Sequence, residues 1–214
     1  MIIQKYSKMF MWLFIGLMIT FLTGYTLSLT PITALKLTSG GSYLVLAIIE
    51  IVIAIFFSAR LHKMSKITAI ICYTLYSFLT GITFGVIFLA FEITSIMSVF
   101  LITSIVFIIF AIIGATTKKN LSKMSIWLLM SLLAIIVASI INIFIRSTTV
   151  ELVITIISVI VFIAYIMFDM KNAEAIIASV GEEKGAIYGA FQLYLDFINL
   201  FVDLLRLLGK YNDN

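Results

Sequence analysis

Long apolar runs, separated by short polar segments, dominate the chain. Seven of these runs are long enough to cross a bilayer, because a membrane helix needs about 20 mostly apolar residues. The predicted spans cover residues 9–30, 42–60, 67–90, 95–116, 125–146, 150–169 and 186–208. The fourth and fifth are the most uniformly apolar. The seventh carries the most polar side chains and is either a full span or a re-entrant segment shielded by the others. The pattern therefore predicts an all-α membrane protein with seven transmembrane helices.

The composition supports a membrane location. Of the 214 residues, 63% are hydrophobic and 11% are charged, whereas soluble domains have about 25% charged residues. The longest predicted connection, residues 170–185, is too short for a soluble domain. We therefore expect a single integral-membrane domain over residues 1–214.

The basic residues predict the orientation, because Lys and Arg concentrate in cytoplasmic loops. One side would carry ten of them: Lys5, Lys8, Arg60, Lys63, Lys66, Lys118, Lys119, Lys123, Lys171 and Lys184. The other side would carry four: Lys36, Arg146, Arg206 and Lys210. We expect a multi-pass protein of the cell membrane with a cytoplasmic N-terminus.

Several function classes are excluded by missing motifs. The sequence has no catalytic Ser or Cys beside a His and an acid, no HExxH pattern and no glycine-rich phosphate loop. The single Cys72 excludes an intramolecular disulfide and the usual structural zinc sites. The net charge of +4 comes from residues between the spans. We therefore expect no enzyme, no cofactor and no nucleic-acid partner; the partners are the lipid bilayer and ions.

Ionisable residues within the spans are the candidates for function, because each costs about 2.5–3.5 kcal/mol at the bilayer centre on insertion scales. They are Glu50, Asp169, Asp196, Asp203 and Arg206. In the seventh span, Gln192, Asp196, Asn199, Asp203 and Arg206 share one side of a helix. We expect this polar stripe to face protein or water.

The spacing suggests partners for some of these groups. Asp203 and Arg206 are three residues apart and would form a structural ion pair. Asp196 needs a partner from another helix or a proton, and Asp169 is expected at a similar depth. Two carboxylates in contact cannot both ionise cheaply, and their oxygens also suit calcium. The alternative for Asp169 is an exposed acid at the membrane interface.

Glu50 lies in the most apolar setting of any acid in the chain, LVLAIIEIVIAIFF. It is a candidate for the cation path, together with Asn199 and Asp203. Arg60 ends the same span. It is either a cytoplasmic anchor or a latch on Asp169 or Asp196.

Several motifs, in order along the chain, resemble the Bax inhibitor-1 family, also called the transmembrane Bax-inhibitor-motif family, and its bacterial members in particular. They are SFLTGITFGVIF (77–88), IIGATTKKNLSKM (112–124), IINIF (140–144), FDMKNAEAI (168–176) and QLYLDFINLFVDLLRLLG (192–209). The first two spans match mainly by their hydropathy and by an acid in the second.

The resemblance implies a seven-helix bundle with a central seventh helix and a pH-sensitive calcium leak. It places the paired-aspartate sensor and gate at Asp169 and Asp196, which would also bind the calcium ion. It makes Arg60 a candidate latch for the closed state and maps Glu50 loosely onto the acid of the second span. Asp203 departs from the family pattern, since an amide is more usual there.

Three functions remain open at this point. The first is a calcium-leak channel under proton control, and the second is a proton-coupled calcium exchanger that uses the same acids. The third is a regulator that binds a membrane protease or another membrane complex, with Ser122, Lys123, Met124 and the acidic pair at 182–183 as candidate contacts.

Overall fold

The described part of the chain is all α-helical. A computed structural model describes residues 6–38, 40–60 and 62–211, and no β-strand forms within these ranges. Its eight helices are α1 (Ser7–Ser28), α2 (Pro31–Thr38), α3 (Gly40–Arg60), α4 (Lys66–Ala90), α5 (Ile93–Thr116), α6 (Met124–Ile145), α7 (Thr148–Val180) and α8 (Glu182–Leu208). The all-α prediction is confirmed. Lys5, used in the orientation argument, lies outside the described residues.

Five of these helices are long and apolar enough to cross a membrane, namely α1, α4, α5, α6 and α7. The other two predicted spans coincide with α3 and α8, which are not among the five. Helix α8 has sufficient length, but Asp196, Asp203 and Arg206 interrupt its apolar half. These five helices make the protein a multi-pass membrane protein, and the number of seven transmembrane helices stays a prediction.

Helix α7 is longer than the sequence suggested. We predicted a connection over residues 170–185, but the helix continues to Val180 and α8 begins at Glu182. The polar residues after Asp169 end the apolar span without ending the helix. The chain breaks at Gly181, whose φ of 88° suits a residue without a Cβ. Asp169 therefore lies in the interior of α7, with more than one helical turn before it and after it.

Two compact units make up the chain. The first contains the described residues of Met1–Ile93, Ala175–Tyr194 and Lys210–Asn214, and the second contains Thr94–Glu174 and Leu195–Gly209. Helices α7 and α8 contribute residues to both units. The single integral-membrane domain stays a prediction.

In the first unit, α1 packs most extensively against α4. The helices approach closely at Gly81, where an added Cβ would lie 2.5 Å from Cβ of Thr23. The first half of α8 joins this unit through aromatic contacts, in which the Phe191 ring packs edge-on against Phe57, Tyr73 and Tyr76. Such edge-to-face pairs each contribute about 0.5–1.5 kcal/mol beyond burial.

Ion pairs join three helix starts in the first unit. Lys8 of α1 lies 2.9 Å from Glu182 and 3.2 Å from Glu183, both of α8. Lys66 of α4 also pairs with Glu183. The hydrogen bonds from Lys66 and Lys8 lower the pKa of Glu183 below its ordinary value. The acidic pair that we considered as a partner-binding surface thus already has partners within the chain.

In the second unit, the second half of α8 packs against α5 through phenylalanines. The Phe197 ring contacts Phe100 and Phe107, and the Phe201 ring also contacts Phe100. Helix α6 contributes little to the core, because Leu128 is its only buried residue. Its apolar surface suits contact with lipid.

Candidate proton and cation site

Asp169 of α7 and Asp196 of α8 meet in the second unit. Their side chains are hydrogen-bonded to each other, and the residues are 8% and 3% exposed. A hydrogen bond between two carboxyl groups requires a proton on one of them. The alternative of an exposed interfacial Asp169 is wrong, because the neighbouring helices cover this residue.

Conventional donors are scarce around this carboxyl pair. No hydroxyl, amide or cationic donor of the described residues reaches Oδ2 of Asp196. Tyr165, one helical turn before Asp169, interacts electrostatically with both carboxyls. The nearby cation on α7, Lys171, directs its Nζ to the carbonyl oxygen of Thr117 at 2.5 Å. The two aspartates are therefore each other's principal polar partners.

Close backbone contact fixes the position of α7 next to this pair. Gly114 of α5 lies against Met167, where an added Cβ would be 2.5 Å from the carbonyl oxygen and 2.8 Å from Cα. A side chain at this position would push the two backbones apart. The contact between Gly114 and Met167, which lies two residues before Asp169, was not predictable from the sequence.

Asp203 differs from our prediction. Asp203 and Arg206 both lie in the described part of the chain and form no salt bridge with each other. Instead, Ser158 Oγ of α7 donates a hydrogen bond to Asp203 Oδ2. Asp203 is buried, whereas Arg206 is exposed. The Asp203 carboxyl is therefore hydrogen-bonded to a hydroxyl of α7, while Arg206 interacts with it electrostatically without a salt bridge.

The polar stripe of α8 is only partly buried. Asp196 and Asp203 are covered, as predicted, but Asn199 is exposed and its amide donates to the carbonyl oxygen of Leu195 at 2.7 Å. Neighbouring helices thus cover Asp196 and Asp203 of the stripe, whereas Asn199 and Arg206 lie on its exposed side. The stripe spans about 80° around the helix axis. The edge that carries Asn199 and Arg206 lies outside the buried side of α8.

Glu50 and Arg60 both belong to the first unit. Thr83 Oγ1 of α4 donates to Glu50 Oε1 at 3.1 Å, and Glu50 is half-buried. Arg60 is the exposed last residue of α3. Its proposed role as a latch stays a prediction.

Larger metal sites do not form in the described part of the chain, where no three His, Cys, Asp or Glu residues gather. Calcium takes about six to eight oxygen ligands. Two carboxyl groups can supply up to four of them, so an ion at the Asp169–Asp196 pair would keep water or backbone ligands. This arrangement favours weak, reversible binding.

Five helices that are long and apolar enough to cross a bilayer define a multi-pass helical membrane protein. One of them, α7, meets α8 at a buried pair of acids. The family model described as "Inhibitor of apoptosis-promoting Bax1" (Bax1-I) matches residues 3–213. The chain therefore belongs to the Bax inhibitor-1 family, which confirms the resemblance drawn from the sequence.

Bacterial relatives match over nearly the whole chain. An uncharacterized protein of Borreliella burgdorferi is 34% identical over 210 residues, which cover 95% of this chain and 90% of the relative. The inner membrane protein YbhL of Escherichia coli is 33% identical over 220 residues, which cover 97% and 92%. An uncharacterized protein of Rickettsia prowazekii is 31% identical over 193 residues, which cover 88% and 81%.

The structure adds partners that the sequence did not single out. Ser158 and Thr83 each donate to a buried or half-buried acid, but both lie in apolar runs that contain many hydroxyl residues. Most of those hydroxyls bond to the backbone one turn earlier, as Thr103 does with Val99. The sequence alone does not distinguish a hydroxyl that donates to an acid from one that donates to the backbone.

Proposed function

We propose that this protein is a pH-sensitive cation leak of the cell membrane that conducts calcium, with Asp169 and Asp196 as its sensor and gate. The observation that carries the proposal is the hydrogen-bonded contact of two buried carboxyl groups on α7 and α8. A transport role accounts for acids inside membrane helices without requiring an enzyme or a cofactor.

The chemistry follows from repulsion between like charges. With one shared proton, the pair carries one negative charge and its two side chains stay together. Loss of that proton leaves two carboxylates that repel each other in a medium of low dielectric constant. Separation of α7 from α8, or entry of a cation between the carboxylates, then relieves the repulsion. Protons and calcium would therefore compete for the same oxygens.

A second oxygen site extends the proposed path along the same two helices. Asp203 is seven residues after Asp196, which places it about two turns or 10 Å further along α8. Ser158 is the α7 partner at this level. A cation that leaves the aspartate pair would thus find another acid and a hydroxyl along the helix interface.

The orientation and the alternatives belong to the same proposal. The basic residues favour a cytoplasmic N-terminus. A proton-coupled exchanger would use the same two acids, but its calcium flux would saturate and would be driven by an imposed proton gradient. A regulator of another membrane protein would keep its role without either aspartate.

The test is calcium influx into vesicles that contain the purified protein, measured from about pH 6 to about pH 8. Wild type is compared with Asp169→Asn and Asp196→Asn, since each variant retains the size of the side chain and removes the shared ionisation. We expect a pH-dependent flux in wild type and a flux without pH response in both variants.

The matched control is Glu151→Gln, which neutralises an exposed acid in the first turn of α7. It should behave like wild type. Absence of flux above that of empty vesicles throughout the pH range would overturn the leak proposal and favour the regulator. A normal pH response in Asp196→Asn would place the sensor elsewhere.

A further inference from the structure

One hydroxyl near the aspartate pair has no role in the function proposed above. Tyr165 lies in α7, seven residues after Ser158 and four before Asp169. Both of these flanking residues contact acids of α8. Asp169 is hydrogen-bonded to Asp196, and the Ser158 hydroxyl donates to Asp203. Along α7, Tyr165 therefore lies between the two oxygen sites of the proposed cation path, and all five residues belong to the second unit.

Helical spacing places Tyr165 on the side of α7 that faces α8. Each residue advances about 100° around the axis, so Ser158, Tyr165 and Asp169 share a stripe about 40° wide. Both ends of this stripe contact α8. The half-buried Tyr165 ring packs beside Phe162, with ring centroids 6.0 Å apart. Tyr165 also interacts electrostatically with both carboxyl groups of the pair, in agreement with this placement.

The hydrogen-bonding groups of Tyr165 and Asp196 are complementary. Asp196 Oδ2 is buried and has no donor within the described part of the chain. The Tyr165 hydroxyl forms no hydrogen bond with any of the described residues. A phenol O–H can donate to a carboxylate, and such charge-assisted hydrogen bonds are about twice as strong as neutral ones. A donor without an acceptor and an acceptor without a donor thus lie close together.

Other polar groups of the second unit are directed elsewhere. Lys171 Nζ bonds to the carbonyl oxygen of Thr117, and the Asn199 amide bonds to the carbonyl oxygen of Leu195. Helices α5 and α6 contain no ionisable residue. The Tyr165 hydroxyl is therefore the donor near the pair that has no other acceptor.

We propose that Tyr165 is a positioning residue of the cation site: when a cation separates the two carboxyl groups, the Tyr165 hydroxyl donates to Asp196 Oδ2 and orients that carboxylate toward the ion. The inference rests on the function proposed for the aspartate pair. In the structure, the partner of Asp196 is the Asp169 carboxyl. A cation between the two acids removes this contact, and the ionised Asp196 then requires another donor.

The test is thermal unfolding of the purified protein in phosphatidylcholine nanodiscs, with calcium varied at fixed pH and ionic strength. An ion that binds the folded state raises the unfolding temperature with its concentration, so the affinity is obtained without a flux measurement. Partners that orient a metal ligand typically change metal affinity by about 10- to 100-fold. We expect Tyr165→Phe to raise the half-saturating calcium concentration by this factor. Its unfolding temperature without calcium should equal that of wild type, because the ring and its packing remain.

Two further variants locate the effect. Tyr25→Phe removes the hydroxyl of an exposed tyrosine in α1 of the first unit and should behave like wild type. Asp196→Asn should lose the calcium-dependent rise, because it removes a carboxylate of the site. A loss of calcium affinity in Tyr165→Phe alone among the two tyrosine variants would thus depend on the position of the hydroxyl.

Infrared difference spectra detect the proposed hydrogen bond itself. Addition of calcium to wild type should shift the C–O stretching band of one tyrosine, since this band responds to hydrogen bonding of the phenol. The shift should be absent from Tyr165→Phe and Asp196→Asn and present in Tyr25→Phe. A merely structural role of Tyr165 would give no calcium-dependent band.

Three results would overturn the inference: equal calcium dependence of wild type and Tyr165→Phe, a calcium-induced tyrosine band that persists in Tyr165→Phe, or no calcium dependence in wild type. The first two would leave the leak proposal intact, because flux through the aspartate pair does not require this hydroxyl. Conversely, calcium binding that weakens in Tyr165→Phe without any calcium flux in vesicles would overturn the leak proposal and retain the role of Tyr165.

Discussion

The acids of the two units differ in the kind of partner that they meet. In the second unit, Asp169 meets another carboxyl group, Asp196. In the first unit, Glu50 meets the hydroxyl of Thr83. A hydroxyl can donate to an ionised acid or accept from a neutral one, so its contact survives either state. Two carboxyls can stay in contact only while they share a proton, and this difference is why we propose the aspartate pair, and not Glu50, as the pH sensor.

The comparison is sharpest within α8, where Asp196 and Asp203 lie on the same side of one helix but have different partners. We expect Asp196→Asn to abolish the pH response of calcium flux, whereas Asp203→Asn should lower the flux several-fold and keep its pH dependence. The reason is that Asp203 bonds to the Ser158 hydroxyl and shares no proton with another acid. Vesicle flux over the same pH range measures both. Equal loss of pH response in the two variants would contradict the distinction.

The second expectation concerns the backbone contact that positions Asp169. Gly114→Ala places a Cβ 2.5 Å from the carbonyl oxygen of Met167 and should destabilise the protein by about 1–3 kcal/mol, as overpacking does. Thermal unfolding measures the loss, and calcium flux shows whether the shifted α7 still brings the pair together. Gly41→Ala is the control, because its added Cβ meets nothing within 4 Å. Equal stability of the two variants would argue against this close packing.

The third expectation concerns the hydroxyl partners. Ser158→Ala leaves the buried Asp203 without its donor and should cost about 1–3 kcal/mol of stability. Ser104→Ala is a matched control, because that hydroxyl bonds to the backbone of Phe100 on an exposed part of α5. Chemical or thermal unfolding compares the two. An effect of Ser158→Ala no larger than that of the control would show that Asp203 does not depend on the hydroxyl.

The smallest expected effect comes from the exposed ion pairs of Glu183. Its pKa is lowered by Lys66 and Lys8, so the pairs stabilise the folded state above the ordinary glutamate pKa. This stabilisation is lost as the pH falls through the lowered pKa of the folded state. Unfolding temperatures of wild type and Glu183→Gln should differ slightly at neutral pH and low salt, and should converge in acid or at high salt. A difference that persists in acid would contradict the assignment.

The sequence predicted the helices well where the apolar run and the helix begin and end at the same residues. The starts and ends of α1 and α4–α6 lie within two residues of the predicted spans, because apolar runs in membranes end where the chain meets water. The extension of α7 to Val180 was missed, since polar residues can continue a helix outside the apolar layer. The short α2 was missed for a similar reason.

The site was predictable to a smaller degree. Helical spacing placed Asp196 and Asp203 on one side of α8, and the family motifs selected Asp169 and Asp196. Spacing predicted that the stripe faces protein or water, but it could not show that helices cover Asp196 and Asp203 and leave Asn199 and Arg206 exposed. Nor could it show that Ser158 donates the hydrogen bond to Asp203, because this depends on how α7 and α8 pack.

The central claim is that Asp169 and Asp196 share a proton that a calcium ion displaces, and proton release measures this most directly. Calcium is added to the purified protein in weak buffer near neutral pH, with sodium held constant, and the released protons are counted. The account predicts release of about one proton per wild-type protein, as ligand deprotonation by a metal requires, and none from Asp196→Asn. No release from wild type, or equal release from the variant, would contradict it.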